Sequence, residues 1–408
     1  MRRCCDAAPS LSIAMQQTQP VTRIFNRYFI LLLCNMAAAI TFQMVTPTLP
    51  KYINGLGCSL TLAGTLTGLY SISALIGRPF SGMLSDRRNK KHLVIAGLLI
   101  TGAGTIGLAL SHQLVLLGLC RIVMGLGFAL SSTLMVTLAT NYMPEDRMGE
   151  GVGYFALNNL LALSIGPSLG IWIGNHYGYP LTFAVAGCFT FLPALLILLL
   201  PYQYRTSDMT VRSIRLSDFF APELIPYLLF VAAFSFSNSS ISAFLSLFAE
   251  SRNIPHYTYY FTINAIMLIF SRPFAGRLGD RKGGMYVIFP AYLICAGALA
   301  IIAGAHSSWL IFAAAAVNAF GAGAGSPCCQ SECIKKLGPE RRGIAVSMYY
   351  IGADVANGIA PSIGGYLADS FGYAAMYRIF ALFCLVTAVI YWLYCIRAKK
   401  QGEALLKS

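Results

Sequence analysis

Charge is scarce in this chain. Asp, Glu, Lys and Arg make up 11% of 408 residues, and only 15 of them are acidic. Soluble domains carry about a quarter charged residues, so this composition does not build a water-facing surface. Histidine is equally sparse: His92, His112, His176, His256 and His306 all fall in predicted loops or at segment ends. That leaves no base beside a nucleophile, and no connection is long enough to form a sizeable soluble domain. An enzyme is therefore not expected, and no catalytic residue is assigned. No Walker A sequence occurs, which excludes ATP hydrolysis by a P-loop as a driving force. The 12 cysteines are scattered through apolar segments except for Cys328, Cys329 and Cys333. That cluster has no nearby histidine and no zinc-type spacing, so no metal and no cofactor is expected.

What the chain has in abundance is apolar sequence. Hydrophobic residues make up 57% of it and the mean hydropathy is +0.66. A chain of this size cannot hide that much apolar surface from water, so it is an integral membrane protein. Apolar runs long enough to cross a bilayer as helices fall at 27–49, 60–81, 93–110, 114–140, 151–175 and 181–200. Six more follow at 223–248, 258–276, 286–305, 309–331, 343–367 and 374–396. The expectation is an all-α membrane protein of about twelve spans. It divides into a tail (1–26), a first six-helix bundle (27–200), a linker (201–222), a second bundle (223–396) and a second tail (397–408).

The formal charge of +14 reads as topology and anionic lipid. Lys and Arg gather in alternate connections: Arg87, Arg88, Lys90 and Lys91, then Arg205, Arg212 and Arg215, and later Arg281, Lys282, Lys335 and Lys336. The other connections hold only Lys51 and Arg252. By the positive-inside rule both termini are cytoplasmic. No basic face remains for nucleic acid.

Two stretches repeat. Gly77-Arg78-Pro79-Phe80-Ser81-Gly82-Met83-Leu84-Ser85-Asp86-Arg87-Arg88 returns as Ser271-Arg272-Pro273-Phe274-Ala275-Gly276-Arg277-Leu278-Gly279-Asp280-Arg281-Lys282, 194 positions later. The same offset carries Gly166-Pro167-Ser168-Leu169-Gly170 onto Ala360-Pro361-Ser362-Ile363-Gly364, and Tyr177-Gly178-Tyr179 onto Phe371-Gly372-Tyr373. An even number of spans separates the copies, so the halves share one orientation and are related by an axis along the membrane normal.

With these residues in view, the chain resembles the major facilitator superfamily from about residue 25 to 397. Gly82-Met83-Leu84-Ser85-Asp86-Arg87-Arg88-Asn89-Lys90-Lys91 is similar to the family signature between helices 2 and 3, with Asn89 where Gly is usual. Arg121-Ile122-Val123-Met124-Gly125-Leu126-Gly127 resembles the helix-4 motif. Ile165-Gly166-Pro167-Ser168-Leu169-Gly170 resembles the end of the helix-5 motif associated with antiporters, with Ile171 in place of its second glycine. The pattern is nearest to proton-coupled drug and sugar efflux members. The resemblance implies two bundles that alternately expose a central site.

Candidate sites follow. Gly82, Asp86 and Arg87, with the weaker copy Gly276, Asp280 and Arg281, are expected to gate the cytoplasmic side. Asp86 is disfavoured at the end of its own helix and better placed against another helix's N-terminus; the alternative is a solvated basic loop. Arg121 has Ala315 at its repeat position. An arginine in hydrocarbon must face a partner or water, which suits proton coupling or substrate contact, or else it snorkels to the interface. Asp354 is the one carboxylate well inside a span. Burial disfavours its charged form, which suits a group that takes up and releases protons; a structural hydrogen bond is the alternative. Gly166, Pro167, Gly170, Pro361, Gly364 and Gly365 are candidate bending points, or simply close-packing positions. Asn35, Gln43, Asn158, Asn238, Asn264 and Asn318 are candidates to line a cavity. Arg78 and Arg272 are expected to anchor helix ends at the inner interface.

The function expected is proton antiport exporting a small organic solute or drug across the cell (inner) membrane, by a monomer. Proton-coupled uptake or uniport of a nutrient is the alternative, and a membrane sensor or enzyme a remote one. Protons, lipid and a small-molecule substrate are the expected partners, with the proton gradient as driving force.

Overall fold

The computed structural model describes residues 21–140, 148–200, 221–338 and 341–405. The described residues form helices and no strand. The first half comprises α1 (Val21–Gly55), α2 (Leu60–Arg87), α3 (Lys90–Leu110), α4 (Leu114–Thr140), α5 (Met148–Tyr177) and α6 (Tyr179–Leu199). The second comprises α7 (Ile225–Ser251), α8 (Tyr259–Lys282), α9 (Met285–Ala303), α10 (Ser308–Phe320), α11 (Ala322–Leu337), α12 (Arg342–Phe371) and α13 (Tyr373–Leu405).

Ten stretches are long and apolar enough to cross a membrane, α10 and α11 counting together as one. The two spans that fall short of that measure are α8 and α12. Their polar residues, including Arg272, Asp354 and Asn357, face the other half or an internal cavity, so these helices owe less to lipid than the rest. The expected span at 309–331 is two helices, broken at Gly321. There the chain presses against the backbone of α9: a Cβ on Gly321 would lie 2.7 Å from the Cys295 nitrogen. Helices also overrun the expected ends of the lipid-spanning runs, with α1 starting at Val21 and α13 continuing to Leu405, because backbone pairing does not stop where the hydrocarbon does. Residues 201–220 of the expected linker lie outside the described residues.

The main packing partnerships of the first half recur in the second. The neighbours α1–α5, α2–α4, α3–α4 and α3–α6 are matched by α7–α12, α8–α10, α9–α10 and α9–α13. The repeated turn has a backbone cause. Gly178 and Gly372 both sit at positive φ, +92° and +81°, where a side chain is strained, so both copies keep glycine before the last helix. The two halves meet along α2–α12, α5–α8 and α1–α7, and the first of these seams positions the site.

Candidate functional site

Along the α2–α12 seam the two halves touch backbone to backbone. A Cβ on Gly64 would lie 1.8 Å from the Pro361 carbonyl oxygen, and one on Gly68 would lie 1.9 Å from that of Gly358. Small residues are what let membrane helices approach this closely. The seam begins at the Lys51 end of the molecule, where α1 hands over to α2. There the Asp369 carboxylate accepts from the Leu60 amide (3.0 Å), the Thr61 amide (2.8 Å) and the Thr61 hydroxyl (2.7 Å). It thereby caps α2 from the other half, with a negative charge at the positive end of the helix.

Beside it, Lys51 donates to Glu250 and to Asn175, and Tyr257 donates to Glu250 at 2.6 Å. Burial, reinforced by this bond to a carboxylate, pushes the Tyr257 hydroxyl above the ordinary phenol range. Ser246 and Ser168 add bonds to the Pro47 and Thr258 carbonyls. Farthest from the Lys51 end on this seam, Arg78 donates to Asp354 through Nε (2.5 Å) and Nη2 (3.4 Å), and its guanidinium lies 5.2 Å from the Tyr350 ring centre. Among the described residues, every hydrogen bond between the halves lies between the Lys51 end and this pair. The molecule is sealed at one end.

Alongside the seam lies a cavity of about 300 Å³, at the small end of ligand sites. Arg121 borders it from α4 and is 1% exposed. Its Nε and Nη2 donate to the Leu66 (3.3 Å) and Thr67 (2.6 Å) carbonyls, and its guanidinium lies over the Tyr70 ring at 4.8 Å. Arg272 borders the cavity from α8. Tyr349, which donates to or accepts from Ser326 at 2.7 Å, closes part of the wall.

Four of the expected lining residues are here: Gln43, Asn238, Asn264 and Asn318. Asn318 donates to Asn238 (3.1 Å) and Asn264 to the Ala315 carbonyl (3.0 Å). Asn35 and Asn158 are not among them. Asn35 donates to Asn159, and Asn158 to the Leu32 carbonyl, so both tie α1 to α5 inside the first half. The expectation that Arg78 and Arg272 anchor helix ends at the interface is also corrected. One is an ion-pair partner across the halves and the other a cavity wall. Asp354 is correspondingly not a lone carboxylate.

The glycines singled out for bending are contact positions. Gly166 and Gly170 seat against Gln43 and Met44 of α1, Gly364 against Phe244 of α7, and Gly365 against Leu60 of α2. The helices run on through Pro167 and Pro361. The side chains of Gly82, Asp86 and Arg87 lie outside the described residues. Of their copies, a Cβ added to Gly276 would meet nothing within 4 Å, Arg281 is exposed, and Asp280 is exposed and 3.4 Å from Lys335. An ion pair that open contributes little.

The family model of the Major Facilitator Superfamily matches residues 31–331 and 293–407. The chain belongs to the major facilitator superfamily. Among curated relatives, an uncharacterised transporter of this type from Methanocaldococcus jannaschii is 23% identical, over 91% of this chain and 98% of that one. Uncharacterised members from Burkholderia pseudomallei are 25% identical over 91% of both. Solved structures share the fold. A nucleoside transporter superposes with a TM-score of 0.76 at 14% identity, over 90% of this chain and 99% of that one. A bacterial homologue of the lysosomal transporter Spinster, inward-facing and unoccupied, gives 0.73 at 17% identity, over 92% and 97%. A peptide transporter gives 0.74 at 16% identity, over 91% and 94%. The protein is thus a membrane transporter.

Proposed function

We propose that the protein is a proton-driven exporter of a small organic solute, working by alternating access with Asp354 as the proton carrier. One observation carries this reading: Arg78 and Asp354 join the two halves across the α2–α12 seam. The sparse charge at the Lys51 end makes that end the outer one, with both termini in the cytoplasm and the site open to that side. While Asp354 is ionised, the pair holds the outer end shut, so an empty carrier resists opening outward. Solute loading from the cytoplasm supplies the energy to part the halves. A proton taken up by Asp354 outside then keeps Arg78 unpaired during the return. Its release inside re-forms the tie.

This cycle favours antiport over cotransport. In cotransport the empty, deprotonated carrier would have to break the tie unaided on every return. The test is proton flux in acid-loaded everted vesicles presented with a panel of small solutes. An exported solute is expected to alkalinise the lumen with the wild type and not with D354N. Solute and protons moving in the same direction, or solute transport by D354N with unchanged pH dependence, would overturn it.

A further inference from the structure

The cavity carries positive charge without a counter-charge. Arg121 enters from the first half and Arg272 from the second, and no Asp or Glu lines the wall. Among the described residues neither arginine is in an ion pair. Arg121 Nη1 and Arg272 Nε are buried without a hydrogen-bond partner, and so are the Tyr70 and Tyr260 hydroxyls and Asn318 Oδ1. Five of the eight such atoms among the described residues therefore belong to residues that line this one cavity. Unpartnered buried donors and acceptors are costly and rare, and their concentration here marks a place made for a ligand.

The repeat explains how the charge came to be bare. The offset that maps Arg78 onto Arg272 maps Leu160 onto Asp354. In one copy the arginine has its carboxylate. In the other, the equivalent position is a leucine, packed against Leu268 one turn before Arg272. The second arginine is left for something that is not protein. A guanidinium offers a planar fork of donors that matches carboxylate or phosphate oxygens.

We propose that the cavity binds a small organic anion, whose carboxylate or phosphate is taken by Arg121 and Arg272. A hydroxyl or amino group on the same molecule donates to Asn318 Oδ1. This rests on the cavity being the transport site. Cationic lipophilic drugs are excluded from it by the two like charges.

The test is binding by thermal unfolding of the purified protein at constant ionic strength, with glycerate, glycerol 3-phosphate, glycerol and choline as probes. Glycerate or glycerol 3-phosphate is expected to raise the midpoint, and which of them does so separates the carboxylate from the phosphate. Glycerol and choline are expected to leave it unchanged. R121Q and R272Q should each weaken the anion's apparent affinity about tenfold or more, the effect of losing a charge-assisted hydrogen bond. R272K should recover part of it. L160D keeps both arginines but supplies the missing counter-charge, and should also abolish binding, which guards against a misfolded arginine variant.

Stabilisation by choline, no stabilisation by either anion, or anion binding undiminished in R272Q and L160D would each overturn the proposal. Anion binding without solute-driven proton flux would strike the export reading and leave this one standing. Proton-coupled export of a neutral solute would do the reverse.

Discussion

The Arg78–Asp354 pair makes a quantitative claim about conformation. Its side chains are 22% and 12% exposed and share two contacts, 2.5 and 3.4 Å long. Open surface pairs contribute about 0–1 kcal/mol, whereas breaking a fully buried one costs about 3–5 kcal/mol. A pair in between, partly buried at the seam, is worth about 1–3 kcal/mol to the sealed arrangement. That corresponds to a change of about 5–150-fold in the ratio of sealed to open molecules. D354N and R78Q should each produce this shift, and the double variant should produce no more than either alone, because both remove one interaction. Spin labels at Leu56 and His306, exposed connections of opposite halves at the Lys51 end, report it by double electron–electron resonance. Cys58, Cys188 and Cys395, the accessible cysteines among the described residues, would be replaced first, together with Cys4 and Cys5. A longer distance should grow in all three variants. An unchanged distance distribution in both single variants, or shifts that add in the double, would refute the pair as a tie between the halves.

Two further outcomes follow from the geometry. Gly64→Ala places a methyl 1.8 Å from the Pro361 carbonyl oxygen, so the seam must part; the same labels should show the longer distance, and transport should fall while the protein still inserts. Asn318→Ala removes a cavity acceptor and the bond to Asn238 and should raise the half-saturating solute concentration about 5-fold, as losing about 1 kcal/mol does. Asn35→Ala removes a bond to Asn159 within the first half and should leave that concentration within about twofold by the same reckoning.

Much of this architecture can be read from the chain. Apolar runs mark the spans because a bilayer imposes a minimum length, and the 194-residue offset marks the halves because each copy must solve the same packing problem. Gly178 and Gly372 show why such a match persists: both turns need the same positive φ. The site is less legible, because its decisive contacts join residues far apart in the chain. Nothing near Arg78 in sequence points to a carboxylate 276 positions away. Asn35 and Asn158 look as polar in their spans as Asn238 and Asn318 do. Whether such a residue turns to its neighbouring helix or to the central space depends on helix rotation, which a lone asparagine does not reveal. A signal for Arg272 was nevertheless present, since applying the offset to Asp354 gives Leu160 and leaves one arginine of the repeated pair without its partner.

That comparison locates the chemistry in general. Some positions the two halves share hold the bundles together: the seated pair Gly170 and Gly364, the turn pair Gly178 and Gly372, and the main recurring helix neighbours. Positions bordering the cavity or sealing it include several where the halves differ. Arg121 stands opposite Ala315, Tyr70 opposite Asn264, and Asp354 opposite Leu160. A carrier built from two identical halves would present equal charge to the cavity from both sides. By pairing one arginine and leaving its twin bare, this chain separates two tasks that symmetry would merge. In the proposed cycle Arg78 with Asp354 controls when the halves part, and in the proposed anion site Arg272 with Arg121 sets what the space between them attracts. Under this division L160D should quench anion binding without loosening the seal, whereas D354N should loosen the seal while both cavity arginines remain in place.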